Sequence, residues 1–236
     1  MSAARTGAVL ALWNDVDPSR VDEYERWHAL EHVPERVWVP GFIAATRYVA
    51  DGSGQPRFFT LYELQSLECL DSAAYRALVH EPTPWSASMR SAFTNFQRVS
   101  CPLVVDAGAV IASGMLAVRC VWNTPALPGG AAFQELAAAL LSGGDVTRVQ
   151  IGEAVPAGPQ ALPNHGNVPP GREFLFLVQS LRDDARVVLR RFNEAAASIL
   201  RTSAWHQRTT YRFASKVLHT DVTAEQRPAP RLDLMR

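Results

Sequence analysis

The chain has 236 residues, 47% of them hydrophobic, enough for one large domain or two small ones around a sizeable core. Its 23 basic and 23 acidic residues cancel, so no net field draws it to nucleic acid or to an anionic membrane surface. Cys69, Cys101 and Cys120 form no CxxC pair, which argues against a disulfide framework and a cysteine zinc site, and they read as buried or half-buried thiols in a reducing cytosol.

The first seven residues run straight into a strand-like segment with no apolar region and cleavage site, so no signal peptide is expected. No apolar run approaches the roughly 18 residues that span a bilayer. The expectation is a soluble cytoplasmic protein. Lys216 is the only lysine, and the other basic residues are arginines, which suit bidentate contacts to carboxylates.

In chain order, residues 8–13 (AVLALW) read as a strand buried on both faces. Asp17-Pro18 then reads as a helix cap, with acidic residues in the first turns and apolar spacing that place Tyr24, His28, Glu31 and His32 on one side. Pro34 is expected to end this helix near His32 or Val33. A further turn stops at Pro40-Gly41. Residues 42–50 form a second strand, 51–56 (with Ser53) a hairpin loop, and 57–64 a third strand. A helix over about 66–80, a helical turn over 85–92 and a strand over 93–100 complete a β-α-β-β-α-β order.

That order then repeats: strand 114–122, helix 130–141, strand 146–153, a proline-rich loop 154–171 (with His165 and Asn167), strand 173–180, helix from Asp183 to Leu200 and strand 204–214. The join lies near 101–113. The reading is an α+β protein with an N-terminal ferredoxin-like unit at 1–104, a second at 105–219 and a flexible tail at 220–236. Each unit leaves one sheet face bare. Two tandem ferredoxin-like units can close those faces into an intramolecular barrel. Strand 204–214 has polar even positions, His206, Arg208, Thr210 and Arg212, against Trp205, Tyr211 and Phe213. The polar face meets either a ligand-sized lumen or solvent.

The run WHALEHVPER at 27–36, then VPGF at 39–42, ATRYV at 45–49 and FFTLYEL at 58–64 resembles the dimeric α+β barrel superfamily, closest to its EthD-like and related members. The resemblance covers about 9–75; beyond that it rests on topology. Members include cofactor-independent monooxygenases, lactone isomerases, polyketide cyclases and haem-binding enzymes. What it implies is a binding site in the barrel lumen, with the end of the first helix at its mouth. The helix at 130–141 has no histidine, which makes the second half mainly a scaffold.

His32 is the first candidate catalytic group, an imidazole able to take a proton from a phenol, enol or carbon acid. Glu31 could orient it, and Arg36 or Arg47 could hold a carboxylate or enolate oxygen. Alternatively, His32 caps the helix end and Arg36 pairs with Glu35 on the surface. His28, Tyr24, Arg47, Tyr48, Tyr62, Phe42 and His206 are candidate substrate contacts, each also readable as ordinary packing or surface. His28-x-x-Glu31-His32 matches an inverted zinc-protease motif, yet Pro34 and the lack of a third ligand leave no metal expected. No phosphate loop, nucleophile elbow or dinucleotide fingerprint is present.

The expected function is that of a small-molecule enzyme with no organic cofactor, an isomerase, cyclase or monooxygenase that abstracts a proton next to a carbonyl. The alternatives are a non-catalytic binding or stress-response barrel and a haem- or metal-binding member. The expected partner is a small-molecule ligand, with neither nucleic acid nor membrane, in a possible homodimer of pseudo-dimers.

Overall fold

The computed structural model describes residues 6–52, 54–124, 127–166, 168–181, 185–222 and 225–235. The first five residues, Ser53, Asn167 and Asp183 therefore lie outside the described residues. Eight strands close into one barrel: β1 (Ala8–Val16), β2 (Phe42–Ala50), β3 (Phe58–Leu64), β4 (Phe93–Gly108), β5 (Gly114–Trp122), β6 (Val146–Glu153), β7 (Arg172–Ser180) and β8 (Trp205–Leu218). The order around it is β1-β3-β2-β8-β5-β7-β6-β4, with every pair antiparallel. The first four strands sit in the order β4-β1-β3-β2 and the last four in the matching order β8-β5-β7-β6.

β1 runs three residues past its expected end, to Val16, and the longer extensions of β4 and β8 make the seams. β4 pairs with β1 as far as Pro102, then crosses to β6 over Leu103–Gly108. The period of two continues through Cys101, Leu103 and Val105, so the join is strand rather than linker. It stops at Gly108, whose φ of +85° and contact with the Thr147 carbonyl leave no room for a Cβ. β8 continues to Leu218 along β2, through a bulge opposite Arg47 and Tyr48.

The first helical segment also runs on. α1 (Val21–Trp27) passes through a π turn (His28–His32) into α2 (Val33–Val37). A π turn carries an extra residue, which loosens the ladder a proline ring otherwise intrudes on. Pro34 is thus tolerated in the first turn of α2. α3 (Ala73–His80) and α4 (Pro84–Met89) follow in the first half, and α5 (Gly130–Ser142), α6 (Ala185–Ala195) and α7 (Ala197–Leu200) in the second.

The helices cover the outside of the barrel, and the lumen is filled by side chains. Val9, Ala11, Trp13, Tyr48, Phe59, Leu61, Val99, Met115, Leu175, Leu177 and Tyr211 form one buried cluster. Phe59 lies at its centre, 4.9 Å from Trp13, 5.6 Å from Tyr48 and 5.2 Å from Tyr211 between ring centroids. Buried ion pairs sit at both ends. Arg148 bonds Glu63 at 2.7 Å and Asp106 at 2.8 Å, and Arg119 bonds Glu173 at 2.5 Å and Gln97. The polar face of β8 points outward: Arg208 donates to Asn193 of α6 at 2.6 Å, Arg212 pairs with Asp51, and His206 is exposed. Of the two readings of this face, the structure gives the outward one, because Tyr211 rather than its even-numbered neighbours faces inward.

The C-terminal segment, expected as a flexible tail, makes specific contacts where it is described. Arg227 donates through Nε to Glu35 at 2.7 Å, the Arg231 amide donates to Glu31 at 2.6 Å, and Leu234 packs near Tyr24 and Trp27.

Candidate active site

The outer face of the first four strands carries a polar band in an apolar sheet. Three rows cross it: Leu10, Tyr62 and Ala45; then Leu12, Thr60 and Arg47; then Asn14, Phe58 and Val49. Tyr24 of α1 and both histidines of the π turn lie over this band. Such turns recur at functional sites, since they displace side chains from the regular helical spacing. The two imidazole centroids are 5.6 Å apart.

The histidines differ in access. His28 is buried, its Nε2 bonded to the Thr60 hydroxyl at 3.1 Å and its Nδ1 without a partner. Burial, then the Arg47 and Arg36 charges, hold its pKa well below the ordinary value of 6.5. His32 is half-buried and lies against the Trp27 ring at 4.1 Å, with Nδ1 sealed and unpartnered. Burial, then Arg36, His28 and Arg90, depress its pKa well below 6.5 as well. Both rings are neutral at neutral pH, and His32 keeps its solvent access on the side away from Nδ1.

His32 opens on a small, partly enclosed cavity of about 80 Å³. The cavity lies between the outer sheet face and the helices, outside the lumen that the resemblance implied. Leu10 and Leu12 form its floor, Trp27, Tyr75 and Phe93 are in its walls, and Arg36, Arg90 and Arg98 bring positive charge. Residues 159–162 of the long loop line its outer side. That loop comes from the second half of the chain and is tied to the free edge of β4. The His165 amide donates to Phe96 O at 2.7 Å, the Phe96 amide donates to His165 Nδ1 at 3.0 Å, and the Arg98 amide donates to Asn164 Oδ1 at 2.8 Å. Gly158, at φ +65°, presses so closely on Leu70 that a Cβ would sit 2.6 Å from its carbonyl oxygen.

Of the expected catalytic residues, the structure brings His32 and Arg36 to the cavity. Glu31 is turned away. Its carboxylate accepts from the hydroxyls of Thr83 (2.5 Å) and Ser86 (3.5 Å) and from the Arg231 amide (2.6 Å), and Thr83 in turn caps α4 by accepting from the Ser86 amide. Glu31 therefore anchors α4 and the C-terminal segment and does not orient His32. Its engagement also removes the base that the inverted zinc-protease motif would need. Among the described residues no group of three or more His, Cys, Asp and Glu side chains could hold a metal.

The expected substrate contacts divide. Tyr24, His28 and Arg47 form a buried cluster beside the cavity. Tyr24 donates to Asn14 at 3.2 Å, and burial raises its pKa to about 12. Arg47 lies under the Tyr24 and Phe58 rings with Glu25 at 2.5 Å, its Nε and Nη2 unpartnered. Phe42 stacks on Tyr75 and meets Tyr62 edge-on, each at 5.7 Å between ring centroids. Tyr48 is in the lumen and accepts from Gln179 at 3.3 Å. His206 is exposed on β8 in the other half. Sequence reasoning missed Arg90, Arg98 and Phe93, since only the tertiary fold brings residues so far down the chain to His32. The length of the loop at 154–171 was the one signal for its part in the site.

No protein-family model matches the chain, and no curated protein matches it. Solved structures do. A structure of an anthrone oxidase-like protein aligns with TM-score 0.63 at 12% identity, covering 96% of this chain and 99% of that one. A putative monooxygenase from Lactobacillus acidophilus NCFM aligns with TM-score 0.55 at 10% identity over 90% and 97%. A mutant chlorite dismutase from Candidatus Nitrospira defluvii gives TM-score 0.57 at 10% identity over 89% and 92%. The chain shares the α+β barrel fold of these proteins.

Proposed function

We propose that this chain is a small-molecule enzyme of the dimeric α+β barrel type that works by proton transfer next to a carbonyl, without an organic cofactor. The observation that carries the reading is that a neutral, half-buried imidazole and a guanidinium, His32 and Arg36, line the same apolar cavity. In the proposed step the substrate's C–H bond breaks and the proton passes to the accessible nitrogen of His32. The electron pair moves onto the carbonyl oxygen, and Arg36 faces the enolate that forms. Isomerisation, cyclisation or oxygenation would each start from that enolate. The monooxygenase-like and anthrone oxidase-like neighbours support this class of chemistry. The matching strand orders of the two halves support two tandem ferredoxin-like units, and the motif at 27–36 supports kinship with EthD-like members.

Deuterium exchange at the α-carbon of small aryl ketones and keto acids, followed by proton NMR, tests it. Wild type should exceed His32→Ala by about 10²- to 10⁴-fold, the usual share of a general base. Exchange no faster than buffer across the panel would leave a non-catalytic binding barrel, and catalysed exchange unchanged in His32→Ala would remove His32 as the base.

A further inference from the structure

The cavity is more cationic than a proton-transfer site requires. Arg36 has one carboxylate partner, Glu35 at 3.1 Å, and Glu35 is shared with Arg227, whose Nε is 2.7 Å away. Two guanidiniums thus face one carboxylate. Arg90 donates to the Val79 carbonyl at 2.6 Å and Arg98 to the Ala157 carbonyl at 2.7 Å. Among the described residues neither has an ion pair, and no Asp or Glu lines the cavity. Positive charge is in excess by three in a half-buried space with aromatic walls. An unneutralised guanidinium out of bulk water is costly unless an anion meets it. The Arg90 pKa is depressed by burial and by Arg36, which fits like charges crowded together.

We propose that the ligand is a small aromatic carboxylate. Its anionic group is held by Arg90 together with Arg36, and its ring lies among Trp27, Leu12 and Phe93. This rests on the reading that the cavity is the functional site, and it adds Arg90 as a specificity-determining residue. One nitrogen of Arg90 donates to the Val79 carbonyl in the last turn of α3, which orients the rest of the guanidinium. Arg98 sits on the loop side, where it ties the lining segment to β4 and adds long-range attraction.

Isothermal titration of the full chain with 1-naphthoate and with its neutral counterpart 1-naphthamide tests this. Wild type should bind naphthoate at least tenfold more tightly than naphthamide, with a gap that narrows as salt is raised. Arg90→Gln should lower naphthoate affinity about tenfold and leave naphthamide affinity unchanged, and Arg90→Lys should recover part of the loss. Equal binding of the two probes, no binding of either, or an equal loss of both in Arg90→Gln would each overturn the proposal. The last outcome would reduce Arg90 to a structural cap. Charge-selective binding without His32-dependent exchange would leave this inference standing and remove the catalytic one.

Discussion

The two halves of the barrel share a strand order and differ in what lies between sheet and helix. In the second half, Leu116, Val118, Cys120, Trp122, Val149, Ile151, Phe174 and Phe176 meet Phe133, Leu136, Leu140 and Phe192 in one apolar layer. In the first half the same layer is interrupted. Asn14, Thr60 and Arg47 project from the sheet, two imidazoles project from the helix, and a cavity opens beside them. Identical topology therefore carries a sealed core on one side and a polar site on the other, and the chemistry resides in the grafted side chains, not in the fold. The second half nevertheless contributes to the site, since its long loop lines the cavity and hydrogen-bonds β4.

This contrast can be sharpened by substituting each layer in turn. In the sealed half, Phe192 is fully buried and meets Phe176 at 5.9 Å. Phe192→Ala should cost about 3–5 kcal/mol of stability, the usual effect of removing a buried aromatic ring, as denaturant unfolding would measure. His32→Ala should change stability far less while removing activity. If the two variants behaved alike, the division between scaffold and site would fail.

Glu31 offers an intermediate case. It receives two hydroxyls and one amide from elements far apart in sequence. Glu31→Gln should cost about 1–3 kcal/mol, as for a buried acceptor network left partly unmet, and should not shift the pH profile of the reaction. A profile that moved with Glu31→Gln would restore it as the orienter of His32.

The smallest effect is that of pH. Folding holds both His28 and His32 well below their ordinary pKa, so the unfolded chain binds more protons than the folded one as pH falls through about 6.5. Stability should be full above that value and decline below it, with a slope that flattens in His28→Gln. Activity should follow the same direction, level at neutral pH and falling only below the ordinary histidine range. A rate that fell toward neutral pH would require a protonated His32 and contradict its role as base.

Much of this was readable from the chain. Alternation and turn residues placed β2, β5 and β6 at their observed limits, because buried strands are written in local sequence. The Trp27–Arg36 run contains three residues, Trp27, His32 and Arg36, that line one cavity. Other features depend on long-range pairing and were not legible. The crossing of β4 from one half to the other is decided by which edge is free to accept it. Which face of β8 turns inward follows from register, where one residue reverses every side chain. The orientation of Glu31 depends on Thr83 and Arg231, 52 and 200 residues away. Pro34 misled for a local reason: the π turn that accommodates it is rare, and the sequence carries no separate signal for it.

The most direct measurement is a crystal structure of the protein soaked with 1-naphthoate. The account predicts the carboxylate within hydrogen-bond reach of Arg90 and Arg36, the ring against Trp27 and Leu12, and the accessible nitrogen of His32 facing the ligand. A ligand seated in the barrel lumen among Trp13, Phe59 and Tyr211, or under α5 and α6, would contradict it.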